Sequence, residues 1–340
     1  MLSLKRLMAL IFFLIGAVSM AQEIQGKVFD SNTKEPIVGA SVYFNASSIG
    51  TITDEEGNFK LGLPYENNAI LVVRHIGYVT RKVIDPSTDS TLQLGLTEDI
   101  QNLSEVVLTS DPFTRKEKMK VFKLEFLGDT RAGRSCEILN EDQIKLYFNS
   151  YNNTLEAYCE APIKVRNGFM GYVIYFDIEE FKVSFREKSL RRIDNIFHTL
   201  IDGSTQFFDV SEGDPKILER REKAYLGSTV HFMRSCWHGD VESQNFSLKR
   251  NFKEASIKDM FNNVEEDVSK DLKKVRFLDK QFVIYFKNKG NYRSTLKIAE
   301  LDSIYSIDIY GNYTPYKGLV FGGYMANFRI GDMLPMDYGM

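Results

Sequence analysis

Cysteine is scarce in this chain. Three residues, Cys136, Cys159 and Cys236, occur in 340, and so odd and sparse a set excludes a disulfide-stapled scaffold. At most one pair can form. If it does, Cys136–Cys159 is the pair expected, because the two flank a hairpin-like segment while Cys236 sits on a helical stretch; separately buried thiols are the alternative. A charge excess is also missing. Forty-three Lys and Arg face 46 Asp and Glu, a formal net charge of −3. With no basic tail, the chain carries no electrostatic footprint for nucleic acid. Beyond the first twenty residues no run is long and apolar enough for a helix to span a bilayer. Fixed-period repeats and low-complexity tracts are absent as well.

What is present begins at the N-terminus. Lys5 and Arg6 precede an apolar run from Leu7 to Met20, and Ser19 and Ala21 place small side chains before Gln22. That is the layout of a secretory signal peptide over residues 1–21, and the run is short for a membrane span. The remaining chain is expected to be exported. Its composition, 43% hydrophobic and 13% aromatic, is that of a globular protein long enough for two or three cores.

From residue 22 to 97 short apolar runs alternate with polar turns. Ile24 and Val28 alternate around Gly26; Val38, Ala40, Val42 and Phe44 share one face; Phe59, Leu61 and Leu63 share another. AILVVRHI, YVTRKVID and TLQLGL complete about seven strands, a number suited to two small sheets closed on one core. SNTKEP (31–36) and DEEGN (54–58) are turns, with Gly57 free to adopt positive φ. Asp54, Glu55 and Glu56 lack the alternating ligand spacing and distal Glu of a calcium loop.

Four motif blocks in order, G-K-V-x-D, P-I-V-G-A-S-V, G-T-I-T-D-E-E-G-N-F and I-G-Y, resemble the carboxypeptidase-like regulatory domain. This is a transthyretin-like β-sandwich found beside carboxypeptidase catalytic domains and as an N-terminal extension of TonB-dependent outer-membrane receptors of Gram-negative bacteria. The resemblance covers about residues 23–96. It implies an accessory module with no catalytic residues of its own. Leu96–Leu108 resembles the connector after the module in those receptors, and 98–110 is read as a linker. The residues from 111 to 340 are too few for the plug and barrel of such a receptor.

Those residues read as a β-rich α+β domain. IKLYFN and TLEAYCE form a hairpin, and strands follow around Gly171. A helix starts at Asp214 as N-cap with Pro215 at its first position. In it Leu218, Tyr225, Phe232 and Cys236 can share a face, with Gly227 weakening the middle. LKRNFKEASIKDMFNNV reads as a second amphipathic helix, and the remainder returns to strands.

The chemistry-bearing residues do not assemble into a motif. A zinc peptidase needs two His and a Glu at H-x-x-E or H-E-x-x-H spacing, and none of His75, His198, His231 and His238 has it. His231, Cys236, His238 and Asp240 are the nearest thing to a ligand cluster, but on a helix His231 and Cys236 diverge. Cys159 reads as a strand core residue, and Glu179 and Glu180 as neighbours on opposite faces of a strand. No nucleophile elbow or phosphate loop occurs. Tyr305, Tyr310, Tyr313, Tyr316, Phe321, Tyr324 and Phe328 serve either a stacking platform or the core. No catalytic, cofactor-binding or metal residue is assigned and no cofactor is expected.

The leading reading is an exported, non-enzymatic envelope protein, periplasmic or associated with the outer membrane. A scaffold module is followed by a domain that binds an envelope protein, a peptide or a glycan, with peripheral membrane association compatible. The rival is a hydrolase of peptide or glycan with its site in residues 111–340; helical stretches count against a small outer-membrane barrel.

Overall fold

The computed structural model describes residues 23–62, 69–86, 91–99, 111–191, 193–267, 272–287 and 292–340. The segment read as a signal peptide, 1–21, and residues 100–110 of the expected connector lie outside the described residues. The chain is mainly β, as its alternating patterns predict. Among the described residues no helix is long and apolar enough to cross a membrane.

Seven strands come first: β1 (Glu23–Asp30), β2 (Ser41–Phe44), β3 (Gly50–Ile52), β4 (Asn58–Gly62), β5 (Ile70–Arg74), β6 (Arg81–Ile84) and β7 (Leu92–Leu96). They form two sheets ordered β4-β1-β7 and β3-β2-β5-β6. All neighbours are antiparallel except β1 and β7. Val28, Val42, Phe44, Phe59, Leu71 and Leu94 close the core between the sheets. Val38 departs from the expected alternation and is half exposed. Gly39, at φ +72°, turns the chain before β2 begins, so the period-two pattern starts only afterwards. In the 54–58 turn, Asp54 Oδ1 accepts the backbone N–H of Glu56 and Asn58, and Gly57 sits at φ +77°. These carboxylate contacts hold a turn.

A second apolar cluster begins with α1 (Arg115–Leu127), a helix that strand-by-strand reading passes over. Its start is written in the sequence as Thr114-x-x-Glu117, which forms a capping box. The short helix α2 (Arg131–Arg134) follows. Then come β8 (Cys136–Ile138), β9 (Lys145–Asn149), β10 (Thr154–Tyr158), β11 (Ile163–Asn167) and two fourteen-residue strands, β12 (Tyr172–Phe185) and β13 (Ile196–Asp209). β13 takes one edge of β12 along its length, while β11 and β10 lie end to end on the other, giving a six-stranded sheet. Phe122 and Phe126 of α1 pack on Phe181 and Phe176 of β12.

α3 (Pro215–Tyr225) packs back on the second cluster through Ala224, and the third cluster is built by α4 (Thr229–His238), β14 (Phe246–Arg250), β15 (Lys253–Ala255), α5 (Ile257–Met260), β16 (Phe261–Asp267), β17 (Leu272–Phe277), β18 (Gln281–Phe286), β19 (Tyr292–Ile298), β20 (Tyr305–Asp308), β21 (Tyr313–Thr314) and β22 (Leu319–Gly323). The sheets β15-β14-β18-β19-β22 and β16-β17-β20-β21 enclose Phe232, Phe246, Phe282, Leu296 and Tyr305. Asp214 caps α3 through the Lys216 N–H, with Pro215 at the first position. The expected long helix is two. Gly227 at φ +83° breaks it, and Ser228 caps the second part. The segment read as a second amphipathic helix is instead the β14–β15 hairpin followed by α5. Asn251 and Phe252 both take positive φ at its turn, matching the twist a two-residue hairpin needs.

The sandwich is docked on the six-stranded sheet. β2 is buried on both faces: Val42 and Phe44 point into its own core, Tyr43 away from it. Tyr43 pairs in register with Val72 of β5, also wholly buried and outside that core. The face they share lies over β12 and β13, where the Gln206 amide packs against Gly50 of β3. Main-chain bonds Ala46 N–H to Thr205 O (2.7 Å) and Phe207 N–H to Ser47 O (2.9 Å) stitch the β2–β3 loop to β13.

Candidate functional site

Among the described residues, two concavities take lining residues from both the sandwich and the rest of the chain. The larger, about 690 Å³, is a polar cleft. One wall is the sandwich turn Arg74–Tyr78; the other is the edge of the six-stranded sheet, with Asp142, Gln143, Lys145 and Glu160. Both walls are held by charge. Arg74 Nε donates to Asp177 Oδ2 at 2.9 Å and a terminal nitrogen donates to the Glu160 carbonyl at 2.7 Å. Thr80 adds a hydroxyl to the same Asp177 oxygen, also at 2.9 Å, and Lys82 pairs with Glu179. Burial, reinforced by the Asp177 charge, pushes the Tyr43 phenol up and keeps it neutral. On the sheet edge Lys145 donates to Glu160 at 2.7 Å, which raises its ammonium, and lies over the Tyr158 ring.

Across the cleft, His75 and Tyr78 make an edge-on ring contact with centroids 5.5 Å apart. The Tyr78 hydroxyl donates to Asp30 Oδ2 at 3.0 Å. Asp30 is held low by the backbone N–H groups of Thr33 and Asn32 that its other oxygen accepts. His75 Nδ1 is shielded from solvent and finds no partner among the described residues. Ile76 is 77% exposed at the rim. The cleft therefore offers hydrogen-bonding groups of both signs, a ring pair and little apolar surface beyond Ile76 and Ala161, a surface suited to a polar, neutral or zwitterionic chain.

The second concavity is smaller, about 240 Å³, and mainly apolar. It lies between the end of α3, the start of α4 and the 325–338 segment, with Ala46 of the sandwich at its edge.

The residues weighed for chemistry are dispersed. Among the described residues no group of three or more His, Cys, Asp or Glu is placed to hold a metal ion. His231 is a core residue. Its Nδ1 accepts the Gly227 N–H at 3.0 Å, so Nε2 carries the proton and donates to Gln244 Oε1 at 3.2 Å. Burial lowers its pKa, and Tyr225 and Phe246 flank its ring. Cys236 is fully buried, while His238 lies exposed beside Trp237. Asp240 accepts from Gln244. His198 is exposed on β13. The three thiols are free, and the Cys136–Cys159 bridge is not made. Burial pushes all three up, Cys136 to about 12, so none is a thiolate at neutral pH.

Glu179 and Glu180 do not take opposite faces. The β12–β13 register shifts between Ile178 and Glu180, a bulge that leaves both carboxylates off the core side. Glu179 then meets Lys82 and Ser204, and Glu180 meets Lys182. The aromatic run divides. Tyr305 is wholly buried, donating to the Glu300 carbonyl, and Tyr313 and Phe321 pack on the same core. Tyr310 packs against the sandwich core. Tyr324 stacks on Tyr292 at 4.1 Å with Phe328 edge-on. Tyr316 lies in a short 3-10 turn. Among the described side chains no continuous platform is formed.

Comparison with known proteins places the sandwich. Residues 24–108 match the CarboxypepD_reg-like domain. Over 113 residues, 33% of this chain, the sequence is 34% identical to the TonB-dependent receptor SusC of Bacteroides thetaiotaomicron. The match covers 11% of that receptor, so the chain spans about a tenth of the relative's length. Two interface mutants of a type II cohesin–X-dockerin complex from Acetivibrio cellulolyticus align with 22% of this chain and 52% of their own at 20% identity. Their TM-score is 0.18, too low to imply a shared overall fold. Motif order, two-sheet topology and family match agree: the N-terminal unit of this chain is a CarboxypepD_reg-like domain.

Proposed function

We propose that this is an exported envelope protein, periplasmic or at the outer membrane, in which the CarboxypepD_reg-like sandwich is a scaffold and not a catalyst. In this reading residues 22–97 form the scaffold, 98–110 the connector and 111–340 the unit that confers specificity, and a peptide or glycan of the envelope is bound in the polar cleft. The observation that carries the proposal is that neither unit makes this cleft alone. Its walls come from the sandwich turn and the sheet edge, locked together by the Arg74–Asp177 pair and the Arg74–Glu160 carbonyl bond. Likeness of a 113-residue segment to a TonB-dependent receptor supports the envelope setting. The arginine and the lysine of the cleft are both held in ion pairs, Arg74 with Asp177 and Lys145 with Glu160, which suits binding better than proton transfer.

The test is binding of the purified chain to arrays of envelope glycans and peptides, repeated with His75→Ala on one wall and Gln143→Ala on the other. Comparable losses of at least about tenfold from both walls are expected for a shared site. Loss from neither, or cleavage of the bound chain during incubation, overturns the proposal, the second outcome in favour of a hydrolase.

A further inference from the structure

The apolar cavity contains a charge without a counter-ion. Arg234, on α4, is 6% exposed and lines the cavity. Its Nε donates to the Tyr310 carbonyl at 3.0 Å, and its two terminal nitrogens donate to the carbonyls of Tyr338 and Met336 at 2.8 and 2.7 Å. A guanidinium has five N–H groups, so two remain. The Tyr225 ring lies 5.4 Å from its centre. Among the described residues no carboxylate makes an ion pair with it. A buried cation solvated only by neutral carbonyls is costly, and an anion brought to it is bound strongly.

The other walls favour hydrocarbon. Met325, Phe328, Met333, Leu334 and Met336 contribute flexible or flat apolar surface. Tyr225, Thr229 and Leu334 of its wall are only half-buried, so the wall reaches solvent there. A cavity of roughly 150 Å³ holds benzene, which scales to roughly nine or ten heavy atoms in about 240 Å³. Asp332, the one acid on the wall, accepts from Thr130 at 2.7 Å through one oxygen; the other lies toward Gly128, shielded from solvent and without a partner among the described residues, and burial pushes the carboxyl up toward its neutral form.

We propose that this cavity binds a small apolar monocarboxylate, its carboxylate on the two remaining N–H groups of Arg234 and its hydrocarbon among the methionines and Phe328. A carboxylate matches a two-donor fork, whereas a phosphate, with three oxygens to satisfy, would leave acceptors unmet against apolar walls. The inference stands apart from the polar cleft. Because Ala46 edges the cavity, occupancy should also brace the sandwich against the rest of the chain.

Calorimetric titration of the full chain with phenylacetate, 2-phenylethanol and 2-phenylethylamine tests it. Phenylacetate is expected to bind at least ~10-fold more tightly than the neutral alcohol, the value of a hydrogen bond to a charged group, and the amine no better than the alcohol. Arg234→Met should abolish the preference for the acid. Because Arg234 also ties three carbonyls, Val230→Phe provides a second variant that fills the cavity without touching those bonds. It should lose phenylacetate binding while its unliganded melting temperature stays unchanged. Equal binding of acid and alcohol, tighter binding of the amine, binding that survives Val230→Phe, or no binding of phenylacetate at millimolar concentration each overturns the proposal.

Discussion

Val72 separates the sandwich's own core from its docked face. The side chain is wholly buried, yet it is not among the residues of the sandwich core; it faces the β12–β13 sheet beside Tyr43. Val72→Ala removes two methyl-sized groups. At about 0.8 kcal/mol for each the transfer loss is about 1.6 kcal/mol, and the residual cavity brings it to roughly 2–3 kcal/mol. That cost should be felt only where β13 covers the face. In a fragment of residues 22–110 position 72 lies on the surface, where substitutions change stability by about 0.5 kcal/mol or less. Val42→Ala, inside the core, should cost roughly 2–3 kcal/mol in both contexts. Urea unfolding of the fragment by circular dichroism, and hydrogen exchange of the β5 amides in the full chain, give the two columns of the comparison. Equal losses for Val72→Ala in fragment and full chain would refute the assignment of this face to the interface. A fragment that is molten without β12 and β13 would refute the separability of the sandwich altogether.

Other consequences follow from single sites. Gly57→Val should cost at least about 2 kcal/mol, because φ +77° is strained for a β-branched residue and its Cβ would lie 2.4 Å from the Val28 carbonyl oxygen; denaturant midpoints check it. Asp209 accepts a two-pronged contact from buried Arg221, at 2.7 and 2.9 Å, and these bonds hold its carboxyl well below the usual range. A depressed carboxylate stabilises the fold fully above the unfolded-state value near ~4, and the benefit is lost as pH falls through the folded value. Asp209→Asn should therefore melt earlier than the parent at pH 7, and the gap should shrink toward pH 3 in thermal scans; a gap that does not change with pH would refute the linkage. Iodoacetamide at neutral pH should leave Cys136, Cys159 and Cys236 unlabelled in the native chain and label all three in denaturant, read by intact mass.

What the sequence by itself determined is local. The alternation of Ile24 with Val28 and of Phe59 with Leu61, the turns at Asp30 and Asp54, and the Asp214–Pro215 helix start depend on residues a few positions apart, so they are legible without the rest of the chain. The Thr114–Glu117 capping box was equally legible and marks a helix that strand periodicity hides. Tertiary structure decided the rest. The β14–β15 segment has enough apolar residues at helical spacing to read as a helix, and only pairing with β18 makes it a hairpin. The bulge that turns Glu179 and Glu180 off the core side arises where β12 must stay in step with fourteen residues of β13. The cleft and the cavity join positions such as Arg74 with Asp177 and Arg234 with Met336, about a hundred residues apart in the chain. Their contact energies depend on burial and orientation, which exist only once three separate cores have packed together.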